Sequence, residues 1–71
     1  MMTHNEALEF AKSSADMALD HIGSKDFEDP IASFRENVID TLRDERAAEH
    51  TAEALEIYDA YIATHKVEWA V

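Results

Sequence analysis

Seventy-one residues make one domain at most, and a chain this short buries only about 60% of the surface its unfolded form exposes. Sixteen acidic residues against six basic ones give a formal net charge of −10, so free nucleic acid and anionic membrane surfaces are both repelled. With no Cys in the chain, disulfides and thiolate metal sites are excluded.

Twelve of the 33 hydrophobic residues are Ala, which leaves a thin supply of large side chains. Small domains in this position rely on tight helix packing or on oligomerisation. The opening "MMTHNEALEF" has neither a basic n-region nor an apolar h-region, so it does not read as a secretory signal. No run approaches the roughly 18 apolar residues of a membrane span. A soluble cytoplasmic protein is expected.

The first predicted helix covers residues 4–22. "THNE" has the capping-box form, with Thr3 at the cap and Glu6 three residues on. Leu8, Ala11, Ala15, Ala18, Leu19 and Ile22 then recur at helical spacing, and Ala7, Phe10, Ser14, Met17 and His21 form a second row beside them. Together they make an apolar arc of roughly 200°, wide enough to contact two neighbours, so this helix is expected to be central. Gly23 suits the left-handed residue after a helix end. His21, at the edge of the arc, is expected to pack with one ring nitrogen hydrogen-bonded.

The second predicted helix covers residues 30–43. Asp29 can cap it and Pro30 lacks the N–H that the first turn leaves unpaired. Ile31, Phe34, Val38 and Leu42 form its apolar stripe. The octet "RDERAAEH", Arg43 to His50, follows without Gly, Pro or any large apolar residue. Ala48 within it and Leu55, Tyr58 and Ile62 beyond it, with His65 and Trp69, form another stripe. On one continuous helix the two stripes fall on nearly opposite sides. Either the chain turns within the octet, with Asp44 available to cap a third helix over residues 47–65, or one helix of about 35 residues presents its halves to different partners. The turn is favoured. The tail "HKVEWAV" reads as a frayed helix end or an extended segment, with Trp69 packed back on the bundle.

The predicted fold is therefore all-α: a small bundle of two or three antiparallel helices. The thin core and opposed stripes point to a homodimer.

The residue types that carry chemistry are sparse. His4, His21, His50 and His65 form no His-x-x-x-His or Glu-x-x-His pair. His50 and Glu53 at i, i+3 are a weak metal signal, and a solvent-facing His50 is the simpler reading. Ser13 and Ser14 read as helix-surface residues and Ser24 as a loop residue, none of them in a nucleophile motif. One Gly cannot build a phosphate loop. No cofactor, metal or catalysis is expected.

The acidic rows are the feature to follow. Glu45, Glu49, Glu53 and Glu56 project onto one helical side and lie on the order of 6 Å apart, a repeat of the kind that phosphates make along a nucleic-acid strand. Glu36, Asp40 and Asp44 form a second row. From Glu36 to Asp59 there are eight acidic residues, opposed in the sequence only by Arg43 and Arg46. Like charges at i, i+4 cost a helix a few tenths of a kcal/mol per pair, so stability alone does not ask for this pattern.

The expected function is a non-enzymatic protein-binding regulator or inhibitor, of the kind a virus encodes against a host factor. Its partner would be a basic host or cellular protein, one that itself binds nucleic acid, engaged in the manner of a DNA mimic. Direct contact with nucleic acid or membrane is not expected. The alternatives are that the acidic face is only a solubility device, or that the chain is a structural module whose seam includes Tyr58, Tyr61 and Trp69, with Tyr58 in the core and Tyr61 at its rim in the simplest version.

Overall fold

The computed structural model describes the backbone of residues 2–23 and 25–69 and the side chains of residues 2–23 and 25–65. The expected positions of Ser24 and of the Trp69 side chain lie outside the described residues. Among the described residues three α-helices follow one another: α1 (His4–Asp20), α2 (Pro30–Asp44) and α3 (Thr51–Trp69). A single 3-10 turn, Ala48–His50, leads directly into α3.

The local signals act as the sequence suggests. Glu6 N–H donates to Thr3 Oγ1 at 3.2 Å and Thr3 N–H donates to Glu6 Oε1 at 3.0 Å. These reciprocal bonds satisfy two backbone donors and hold the Glu6 carboxyl below its ordinary range. Asp29 accepts from Ala32 N–H at 3.2 Å, with Pro30 at the first helical position. The first helix stops two residues short of the expected Ile22. His21 caps it, with its N–H shared between the Met17 and Ala18 carbonyls, and Gly23 carries the turn onward at φ +85°.

The octet turns. Helix α2 ends at Asp44, so Asp44 closes this helix and does not cap the next one. Arg46 takes the left-handed conformation at φ 57°. Its N–H donates to the Arg43 carbonyl at 3.1 Å, and Ala47 N–H donates to the Leu42 carbonyl at 2.7 Å. This is a Schellman ending with Arg where Gly is usual. Leu42 and Ala47, the two residues bracketing it, are both buried, which supplies the hydrophobic contact that accompanies the motif. The last helix then runs from Thr51 past the expected end at His65 as far as Trp69.

The helices pack up-down-up. Met2 N–H reaches the Glu45 carbonyl at 3.4 Å, so the start of α1 lies beside the end of α2. Arg35–Asp59 and Tyr58–Ile31 set α2 antiparallel to α3, and Tyr61–Asp16 sets α3 parallel to α1. As expected, α1 is the element that touches both others most extensively.

The core is built on small residues. Ala7, Ala11, Ala15 and Ala18 of α1 are fully buried and line up with Leu19. Against them pack Val38 and Leu42 from α2, and Ala54, Tyr58 and Ile62 from α3. Side chains this small let helix axes approach closely. Tyr58 is the largest fully buried side chain, and its hydroxyl donates to the Ile31 carbonyl at 2.5 Å.

Three expectations about faces need correction. Met17 and Ile22 are exposed, so the arc of α1 is narrower than its sequence spacing implies. Ser14 is fully buried, not on the surface, because it belongs to the same helical row as Ala7, Ala11 and Ala18. Ala48 is exposed, since the 3-10 turn rotates it away from the stripe it was assigned to.

A candidate acidic face and its histidines

The residues proposed from sequence are distributed over α2, the 3-10 turn and α3. All eight are solvent-exposed. The row expected from Glu45, Glu49, Glu53 and Glu56 is broken: Glu45 caps α2, Glu49 stands in the 3-10 turn, and of these four only Glu53 and Glu56 share one continuous α-helix, while Glu36, Asp40 and Asp44 all lie on α2. The spacing derived for one uninterrupted helix therefore holds only for that last pair, because the left-handed Arg46 redirects the chain between Glu45 and Glu49.

Packing nonetheless gathers part of the row. Glu49, Glu53 and Glu56 line one shallow cavity of about 340 Å³ together with His4, His50 and Ala52. Among the described residues no Lys or Arg lines it. His4, the first residue of α1, brings Nε2 into contact with Glu53 Oε2. His50 lies with Nε2 3.6 Å from Glu49 Oε1, and the two imidazole rings stand 5.0 Å apart between centroids. The sequence reading paired His50 with Glu53. The fold gives Glu53 to His4 instead, across 49 residues. Among the described residues no three His, Asp or Glu side chains are arranged to hold a metal ion.

The remaining acids divide by partner. Asp59 accepts two hydrogen bonds from the Arg35 guanidinium, at 3.0 and 3.1 Å, and this fork joins α2 to α3 at the surface. The pairing raises the Arg35 pKa further above its ordinary value. Asp40 accepts from Arg43 at 2.9 Å on the same helix. Glu36, Asp44 and Glu56 have no hydrogen-bonded or ion-paired partner among the described residues. Arg35 and His4 were missed from sequence as opposing groups, since each lies before Glu36 in the chain and reaches its carboxylate through tertiary packing.

Other candidates resolve into structural roles. His21 donates from Nδ1 to the Met17 carbonyl at 2.8 Å and packs edge-on to Phe27 and beside Phe34, as its position on α1 suggested. Tyr58 is core and Tyr61 is half-buried, with its hydroxyl donating to Asp16 at 3.1 Å. That bond to a carboxylate raises the Tyr61 pKa. No helix among the described residues is long and apolar enough to cross a membrane. Comparison with protein-family models, curated proteins and solved structures finds no match to this chain.

Proposed function

We propose that this chain is a non-enzymatic binding module, acting in the cytoplasm, whose acidic face docks on a basic surface of another protein. The partner class we favour is a protein that normally binds nucleic acid, with the carboxylates taking positions that phosphates would take. An inhibitor or regulator of the kind viruses direct against host factors fits such a chain. The observation that carries this reading is the cavity wall of Glu49, Glu53 and Glu56, lined by no Lys or Arg among the described residues. The unpartnered Glu36 and Asp44 on α2 extend the negative field. Clustered charge of one sign accelerates and orients encounter with the opposite sign.

Capture of partners at low and high salt, with competition by duplex DNA, tests it. The reading expects one identified basic protein, weakened by salt, displaced by DNA, and lost with Glu53→Lys/Glu56→Lys. The control Glu9→Lys/Asp20→Lys, on exposed positions of α1, should retain it. Equal loss in both variants, or retention in both, would remove these residues from the site.

A second reading rests on a different observation. Ile57 is exposed beside Ala60, Tyr61 and Thr64, in a predominantly apolar depression shared with Lys12 and His65. A homodimer or structural partner meeting the chain there would survive high salt and be weakened by Ile57→Glu. Sedimentation equilibrium distinguishes a homodimer from a monomer directly.

A further inference from the structure

We propose that His4 and Glu53 form a proton-operated clasp between the start of α1 and the start of α3, with His50 and Glu49 as a local pair beside it. When the rings are protonated, they close onto Glu53 and Glu49. When they are neutral, those contacts lose their charge assistance and hold the carboxylates less tightly. The inference does not depend on whether the acidic face has a partner.

The geometry that carries it is the convergence of three segments on one cavity. His4 comes from the first turn of α1, Glu49 and His50 from the 3-10 turn, and Glu53 and Glu56 from the first turns of α3. The two rings are close enough to sense one another, at 5.0 Å and tilted by 56°. Each has its own carboxylate: Glu53 for His4 and Glu49 for His50. Of the other charged groups nearby, Glu6 of α1 is committed to the Thr3 cap, and α2 contributes no residue to the cavity wall. The histidines are thus the cationic residues lining this wall, and histidine is the side chain that ordinarily changes charge between pH 5 and 8.

The sign follows from the charges present. With both rings neutral the wall carries its three carboxylates alone. The contact of His4 with Glu53 is then an ordinary hydrogen bond between exposed groups. Protonation turns it into an ion pair and adds a second between His50 and Glu49. The His4–Glu53 pair ties elements 49 residues apart, so closing it restrains the first turn of α1 against α3, whereas His50 and Glu49 are neighbours within the 3-10 turn.

The test compares wild type with His4→Gln and, from the other side, Glu53→Gln. Both positions are exposed, so both variants are expected to fold. Amide hydrogen exchange of residues 5–8 is measured at about pH 8 and about pH 5.5, each rate corrected for its intrinsic pH dependence. The clasp predicts that wild type gains about threefold protection at the lower pH, and that neither variant gains it. In a parallel titration, the Glu53 side-chain carboxyl carbon should shift in step with the His4 ring. Equal protection of wild type and both variants at both pH values, or a Glu53 carboxyl signal indifferent to His4, would overturn the proposal.

Discussion

The Ala47 N–H donates to the Leu42 carbonyl at 2.7 Å, closing a loop over Arg46. That bond is possible because Arg46 adopts φ 57°, a conformation in which Cβ crowds the following carbonyl and which costs a non-glycine residue about 1–2 kcal/mol. Arg46→Gly removes the crowding and is expected to stabilise the protein by about 1 kcal/mol. Arg46→Val, β-branched at the same position, should be destabilising. Urea denaturation of the three proteins checks the order. If Gly and Val behave alike, backbone strain at Arg46 is not what the turn costs.

The hydroxyl of Tyr58 serves a buried ring and reaches the Ile31 carbonyl. Tyr58→Phe should cost about 1 kcal/mol through the lost hydrogen bond. Burial, with the nearby Asp59 charge adding to it, pushes the Tyr58 pKa up to about 12. The unfolded phenol ionises near 10, so the folded state holds the proton more tightly. Its contribution is complete below about pH 10 and is lost as pH rises towards about 12. Thermal unfolding followed from neutral to alkaline pH should show this loss in wild type and a shallower one in Tyr58→Phe. Identical alkaline profiles would show that Tyr58 is not the group responsible.

Ser14 Oγ is buried with no hydrogen-bond partner among the described residues, in a row otherwise made of alanines. A buried hydroxyl that makes no hydrogen bond is a net cost, and Ala is the better helix former. Ser14→Ala is expected to stabilise by about 1 kcal/mol, raising the melting temperature by roughly 4–8 °C for a domain of this size. A lower melting temperature would mean that the hydroxyl has a partner in solution.

Ala11 is fully buried on the face that α1 turns to its neighbours, so added volume there has to displace a helix. Ala11→Leu should destabilise by about 1–3 kcal/mol. The same change at the exposed Ala60 should stay within about 0.5 kcal/mol. Calorimetry of the pair separates close packing of α1 from the simple addition of hydrophobic area, which would stabilise both.

The helices themselves were legible because their signals are local. Thr3 with Glu6 and Asp29 with Pro30 act over three residues or fewer, and the spacing of Val38 with Leu42 or Ala11 with Ala15 follows from the helical repeat alone. The packing of His21 was legible for the same reason, since its hydrogen bond lies within its own turn. Helical projection also placed Glu53 and Glu56 correctly relative to each other. It failed for Glu45 and Glu49, because a projection is valid only along one uninterrupted helix and nothing in "RDERAAEH" announces that the fourth residue turns left-handed. There the tertiary structure decides: with Leu42 and Ala47 both held in the core, the backbone between them has to reverse, and Arg46 accepts the strain. The pairing of the charges was settled the same way. Arg35 and Asp59 lie 24 residues apart, and His4 and Glu53 lie 49 apart. Such partners meet only after the small alanine face of α1 has set which way each neighbouring helix runs, so composition determined how acidic this protein is and packing determined which of its acids stand alone.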